Sequence, residues 1–268
     1  MFEKFKGSAI HNLVITGVKE NDEIEGIFLG EDILKSADIY EGEEIIITRI
    51  GADSWGNRIR TIAFKSNKDG DAIISGSLKK FLKIGEMTCV IAEVYNSDEK
   101  MNEYRENKYP IFDLGFDPKT NKDNLCGALD LQYFSFTRKN VDFKDDETVK
   151  AIHERTGLLR SFAKSMVCGL VVNHTHPDCL QGSAELPASV MEKAGLERYK
   201  SVSVYNVSIG GIADTYAVPM PEGTVMTTGA MASFAKIGES VNVVSYILSE
   251  VSPVIDIVKT DGVKMYND

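Results

Sequence analysis

Leu180-Gln181-Gly182-Ser183-Ala184 decides the fold of this chain, because a near match without the serine, Ile24-Glu25-Gly26-Ile27-Phe28, precedes it. A helix-like segment ending in a glycine-type turn follows each stretch. The later one is Val190-Met191-Glu192-Lys193-Ala194-Gly195-Leu196 and the earlier one Ile33-Leu34-Lys35-Ser36-Ala37-Asp38-Ile39. The similarity runs on into residues 73–85 and 225–238, where Gly76 and Gly85 are spaced as Gly229 and Gly238 are. An acid and a β-branched run follow in both places. Internal similarity at this distance points to two copies of roughly 100 residues, the size of a small domain. A chain that repeats a unit but keeps Gly-Ser only once has divided its labour between the copies.

The 268 residues suffice for two small cores. A net charge of −10 argues against a nucleic-acid partner, which calls for basic patches. No apolar run reaches the ~20 residues of a membrane span, and Met1-Phe2-Glu3-Lys4-Phe5-Lys6 lacks a signal core. The four cysteines Cys89, Cys126, Cys168 and Cys179 show no disulfide framework, so a cytoplasmic protein with reduced thiols is expected.

Both copies read as β-rich. Segments 10–18, 44–49, 58–64 and 88–94 carry β-branched residues bounded by turn formers, as do 169–173, 201–207, 214–218 and 240–248. Short, closely spaced strands predict a small closed barrel rather than an open sheet. Each copy has room for one short helix and a one-turn element before Gly85 or Gly238. The region between is different. Segments 96–108 and 117–124 are polar, and 145–164 reads as helix with Asp146 as N-cap and Val149, Ile152, Leu158, Leu159 and Phe162 on it.

These residues together resemble pyruvoyl-dependent aspartate 1-decarboxylase, seen twice, over about 5–112 and 162–250. In the first copy the resemblance rests on His11, Val14-Ile15-Thr16, Glu25-Gly26, Ile39 with Glu43-Glu44, Gly56-Asn57-Arg58, Thr61 and Ile84-Gly85-Glu86, and extends to 103–109. In the second it rests on Gly182-Ser183, Ala194-Gly195-Leu196, Asn206-Val207, Thr215-Tyr216-Ala217 and Gly229-Ala230. The implied architecture is mainly β: two tandem double-psi β-barrels with short helices and a partly helical connector. The implied division is 1–112 (a first barrel lacking the processing serine), 113–161 (connector) and 162–268 (second barrel).

The resemblance also implies a chemistry. The Ser183 hydroxyl attacks the Gly182 carbonyl, elimination and hydrolysis follow, and Ser183 becomes a pyruvoyl cofactor that forms a Schiff base with an amine substrate and serves as electron sink. Glycine at the cleavage point is expected to permit a strained turn. Gly-Ser is equally a common turn dipeptide. The implied function is a self-processing α-decarboxylase of aspartate, a related amino acid or an amine-bearing intermediate, with β-alanine supply as the family context.

The remaining site residues are split between the copies. Copy one keeps Arg58 and Thr61 but has Ile62 where a tyrosine is implied; copy two keeps Thr215 and Tyr216 but has Ile212 where an arginine is implied. On this reading Thr215 assists cleavage, Tyr216 returns the proton after decarboxylation, and Arg58 grips an anionic group. His11, Thr228, Gly229 and Ala230 join the substrate-binding set, and a homodimer mimics the family's tetramer. The pattern also departs from the family. Ala9 and Met166 stand where a lysine is implied, Ser75 and Thr228 replace an asparagine, and Gln181 replaces a glutamate. Recognition is therefore expected to have moved away from aspartate.

Two rivals stand beside this. An uncleaved homologue would bind a metabolite or regulate a partner. Alternatively His174 and His176, on one face of a strand near Asp178 and Cys179, would hold zinc on the same barrel. No zinc-finger spacing completes such a set, and no metal is assigned.

Overall fold

The computed structural model describes residues 2–20, 23–49, 58–97, 111–113, 135–137, 158–180, 182–262 and 264–265. It is mainly β. The first set of elements comprises β1 (Phe2–Val14), β2 (Gly17–Val18), β3 (Gly26–Gly30), α1 (Glu31–Ser36), β4 (Glu44–Arg49), β5 (Arg58–Ser66), β6 (Ala72–Ser75), α2 (Leu78–Phe81) and β7 (Met87–Ser97), followed by β8 (Ile111–Asp113) and β9 (Ser135–Thr137). The second comprises β10 (Leu159–Val171), β11 (His174–His176), β12 (Ala184–Pro187), α3 (Ala188–Lys193), β13 (Ser201–Asn206), β14 (Gly211–Met220), β15 (Met226–Thr228), α4 (Ala230–Phe234), β16 (Ser240–Ser249), β17 (Asp256–Gly262) and β18 (Lys264–Met265).

The pairings of the first set recur in the second. The β1–β7 antiparallel pair matches β10–β16, and parallel β1–β8 matches β10–β17. Parallel β2–β6 and β3–β5 match β11–β15 and β12–β14. Antiparallel β3–β6, β4–β5 and β4–β7 match β12–β15, β13–β14 and β13–β16. Contrary to the closed barrel expected from strand spacing, the sheet is not closed. Ladder pairing lapses between β1 and β2, where Ile15 and Thr16 donate to the carbonyls of Glu86 and Ala72 as the chain passes from one neighbour to the other.

Alternation explains the strands. In β4, Ile45 and Ile47 are buried while Glu44 and Ile46 face a partly solvated side, the period-two pattern of a one-sided sheet. Two apolar clusters follow from it. One joins Ile10, Leu13, Ile27, Leu29, Ile45, Ile47 and Val90; the other joins Val167, Leu170, Leu186, Val190, Val202, Val204 and Val243. A third lies across the seam: Phe28, Ile62 and Phe64 from the first set meet Ala163, Met166, Cys168, Tyr205 and Val244 from the second. Each large side chain so buried contributes about 1.5–3 kcal/mol.

The expected helix over 145–164 is corrected where it can be seen. Residues 159–164 belong to β10, which pairs with β16 and, at Leu159 and Arg160, with β7. Those ladders and the burial of Phe162 and Ala163 prevail over a weak local helical pattern. Asp146, Val149, Ile152, the polar segment 117–124, residues 98–108 and the tail resemblance at 103–109 lie outside the described residues. Polar contacts reinforce the seam. Arg160, nearly buried, donates to Asp38 O (2.9 Å), Asp38 Oδ2 (2.7 Å) and Glu43 Oε1 (2.9 Å), and Arg60 Nη2 bonds both Asp214 carboxylate oxygens at 2.7 and 2.6 Å. Among the described residues no helix is long and apolar enough to cross a membrane, and Cys89, Cys168 and Cys179 are free thiols.

Candidate active site around Ser183

Ser183 sits just ahead of β12, in the connection that leaves β11, and is buried. Its backbone is tied to β15: Ser183 N donates to Thr228 Oγ1 at 3.0 Å and Thr228 N donates to Ser183 O at 3.2 Å. Its hydroxyl lies 2.7 Å from Thr228 Oγ1 and donates to Glu185 Oε1 at 3.1 Å. Thr215, buried on β14, donates its hydroxyl to the Gly182 carbonyl at 2.7 Å. The next residue, Tyr216, points to the other face of the strand and is 56% exposed. A cavity of about 490 Å³ opens here, lined by Gly182, Ser183, Tyr199, Tyr216 and Val218. The arrangement can polarise one peptide carbonyl, hold the adjacent serine hydroxyl, and present both to a small molecule.

Thr228, Gly229 and Ala230 are brought to this point. Gly229 has φ +53 and donates to His176 O at 3.0 Å, and a Cβ on Gly182 would lie 3.6 Å from Ala230 N. Gly182 itself has no left-handed φ, and that 3.6 Å is ordinary contact. Neither crowding nor a positive φ therefore demands glycine at 182, which corrects the strained turn expected there. Gln181 lies outside the described residues.

Arg58 and His11 are not brought in. Arg58 opens β5 opposite Thr48, exposed, and His11 lies half-buried on β1 opposite Asp113; neither lines the cavity. Within one chain the two sets of elements thus do not bring Arg58 and His11 together with Ser183, as the split motif suggested they would. On this strand Arg60, two residues along the same face, is the arginine that crosses the seam, and it meets Asp214 rather than the cavity. His174 and His176 are exposed on β11, and among the described residues no group of three or more His, Cys, Asp or Glu is placed to hold a metal.

The strand registers also correct the alignment of the two cleavage frames. Ile27 pairs with Ala63 and Ile74 as Ala184 pairs with Ala217 and Thr227, while Thr61 and Thr215 hold matching places opposite Ile45 and Val202. Gly26 therefore takes the place of Ser183, and Glu25 that of Gly182, one residue off the frame read by eye. The Glu25 side chain fills this first-half counterpart. Its Oε2 accepts from Ser77 N at 2.8 Å and its Oε1 from Ser77 Oγ at 2.7 Å, and burial pushes its carboxyl up to about 7. Gly76, at φ +62, is required there, since a Cβ would come within 2.4 Å of Glu25 Oε2. Gly42, Ile62 and Phe64 replace Tyr199, Tyr216 and Val218, and Ile62 is fully buried in the seam. Sequence reading missed Glu185 and Tyr199. The signal for the first was Ser183-x-Glu185, a spacing that puts both side chains on one face of extended chain. Tyr199 gave no signal; it lies far from Ser183 along the chain and holds φ +66.

Residues 158–262 match the family model described as aspartate decarboxylase. An aspartate 1-decarboxylase of Methylococcus capsulatus is 32% identical over 69 residues, 25% of this chain and 55% of the relative. One of Pyrobaculum islandicum is 35% identical over 66 residues (25% and 55%), and one of Campylobacter jejuni 33% over 66 (24% and 52%). The chain thus spans about half the length of the curated relatives it matches. The family match takes in Gly182, Ser183, Thr215 and Tyr216 and begins one residue before β10, so the similarity to aspartate decarboxylases at this level belongs to the second half of the chain.

Proposed function

We propose that the chain is a self-processing decarboxylase that cuts itself between Gly182 and Ser183 and acts on aspartate, a related amino acid or an amine-bearing intermediate. The observation that carries this reading is the Thr215 hydroxyl on the Gly182 carbonyl, 2.7 Å away, beside a buried serine hydroxyl at the wall of a cavity. A donor fixed on that oxygen stabilises the charge that grows there when the serine Oγ adds to the carbonyl carbon. The amide becomes an ester, elimination frees the Gly182 carboxylate, and hydrolysis takes up one water and releases one ammonia. The residues present fit the pyruvoyl group so made: Ser183 faces the cavity, and Thr228 is bonded to its hydroxyl and backbone. Once formed, that group supplies a ketone to capture an amine and an electron sink for loss of carbon dioxide. Tyr216, exposed on the cavity wall, carries the proton that replaces it. β-Alanine supply follows if the substrate is aspartate.

The architecture that goes with this function is two tandem double-psi barrels arisen by duplication, the first at 1–112 and the second at 162–268, joined by 113–161. The recurrence of seven strand pairings in order supports it. The functional unit is a homodimer. On the first half, the face holding Glu25, Gly42 and Ile62 is covered by the second half; the matching face of the second half, with Leu180, Tyr199 and Tyr216, is exposed. A second chain repeating the seam covers it and closes a ring of four similar units. Arg58 and His11 then have a place at the cavity only from that neighbouring chain.

Intact-mass measurement with a denaturing gel tests the reading. Fragments 1–182 and 183–268 are expected, their masses summing to the intact chain plus one water less one ammonia. A chain that stays whole after prolonged incubation rejects self-cleavage and favours an uncleaved metabolite-binding homologue.

A further inference from the structure

We propose that Glu185 is a catalytic base of the chain cleavage, the group that takes the hydroxyl proton of Ser183. The inference rests on the self-cleavage reading above and adds a residue to it. Ser183 Oγ donates to Glu185 Oε1 at 3.1 Å, within the reach needed for proton transfer. The other neighbour of that hydroxyl, Thr228 Oγ1 at 2.7 Å, already accepts the Ser183 N–H. Either hydroxyl of that pair can be the donor; with the Thr228 proton turned to Ser183 Oγ, the serine proton is directed at the carboxylate. Among the described residues this hydroxyl is the only hydrogen-bond or ion-pair partner of the Glu185 side chain.

The two halves differ in step at these positions. By register, Gly26 stands for Ser183 and Phe28 for Glu185, so the half without the serine also lacks the carboxylate. Phe28 instead stacks on Phe64 in the seam. In the reaction, Glu185 takes the Oγ proton as the Oγ–C bond to Gly182 forms and charge collects on the oxygen facing Thr215. The C–N bond then breaks, the proton passes from Glu185 to the Ser183 nitrogen, and an ester with a free amine results. No atom is gained or lost.

Glu185→Gln tests this, because glutamine keeps an oxygen to accept the serine hydroxyl but cannot take its proton. Chain cleavage is followed by intact mass and denaturing gel in wild type, Glu185→Gln and Glu185→Ala, with thermal melting of the uncut chains as the check on folding. Cleavage in Glu185→Gln is expected to slow about 100-fold. Added formate is expected to restore part of the rate in Glu185→Ala and none in Glu185→Gln, whose side chain fills the place. A glutamine variant that cuts at the wild-type rate overturns the proposal while leaving self-cleavage intact. A slow alanine variant that formate does not help also overturns it, by assigning Glu185 a positioning role. A wild-type chain that never cuts overturns the self-cleavage reading, and this proposal with it.

Discussion

Glu25→Gln, made in a Ser183→Ala background so that the chain stays whole, separates this buried acid of the first half from every other titrating group. Glu25 is fully buried, and burial lifts its carboxyl from 4.5 to about 7, against the opposing pull of the Ser77 N–H and hydroxyl, Asn242 and Lys79. The neighbouring Cys168 thiol, pushed up to about 12 by burial, stays neutral throughout. A carboxyl raised in the folded state holds its proton where the unfolded chain has released it. Raising the pH through this interval therefore favours unfolding, and above about 7 the full cost remains. The gap corresponds to roughly 3 kcal/mol, most of which falls between pH 5 and 8. Glutamine keeps one oxygen for the Ser77 N–H and offers an amide to the Ser77 hydroxyl, so packing and bonding survive. Urea unfolding followed by circular dichroism at pH 5 and pH 8 is the assay. The parent is expected to lose about 2–3 kcal/mol more than Glu25→Gln on going to the higher pH. Parallel losses in the two proteins would refute the claim that Glu25 sits protonated in the seam near neutrality.

Three further outcomes are expected. Thr215→Val removes the donor to the Gly182 carbonyl while keeping the side chain's volume, and should slow appearance of the 1–182 and 183–268 fragments at least about 100-fold; an unchanged rate on the gel would show that the 2.7 Å contact is idle. Arg160→Ala leaves the buried carboxylates of Asp38 and Glu43 uncompensated and should cost about 3–5 kcal/mol in urea unfolding, whereas a loss typical of a surface ion pair would mean the clasp is dispensable. Gly85→Ala and Gly76→Ala both place a Cβ at positive φ, but only the second meets an obstacle. The first should cost about 1–2 kcal/mol and the second clearly more, and equal losses would dismiss the Glu25 contact.

Much of this was legible in the chain. The β-branched run 44–49 became β4 to the residue, and 201–207 became β13, because alternation on a one-sided sheet is a local property. The grouping of Gly182, Ser183, Thr215 and Thr228 was legible through resemblance, although Thr215 and Thr228 reach the serine only through the β12–β14 and β12–β15 pairings. What was not legible depends on pairing across long separations. The segment at 159–164 has helical spacing but lies between β16 and β7, partners that no local window contains. The equivalence of Gly26 with Ser183 needed the register of three ladders, since eye alignment matched glycine to glycine and slipped by one. In a strand such a slip exchanges faces, and here it set Glu25 against Gln181 instead of Gly182. Arg58 was assigned through resemblance, and that Arg60, on the same face of β5, is the arginine of that strand that reaches Asp214 depends on a partner 154 residues away.

The two halves differ most where they correspond. The face that bears a solvent-open cavity on the second half is, on the first, the cladding of the seam: Tyr216 becomes buried Ile62, Val218 becomes Phe64, Tyr199 becomes Gly42, and Gly182 becomes Glu25. Each change replaces an exposed or absent side chain with one suited to a dry contact, except the last, which installs an ionisable group. A buried carboxyl costs stability unless its bonds are met, and here Ser77 meets them while the bare Cα of Gly76 leaves the carboxyl room. Gly26 in the place of Ser183 is thus one of several positions at which the first half presents a dry contact and the second half an open cavity. The same reasoning predicts that restoring serine alone, as Gly26→Ser, gives no cleavage at that position. Gly182's counterpart would still be Glu25, and Phe28 would stand where Glu185 is needed. Fragments cut at residue 26 in that variant would mean that a hydroxyl on this backbone suffices, and that the environment built around Ser183 contributes little.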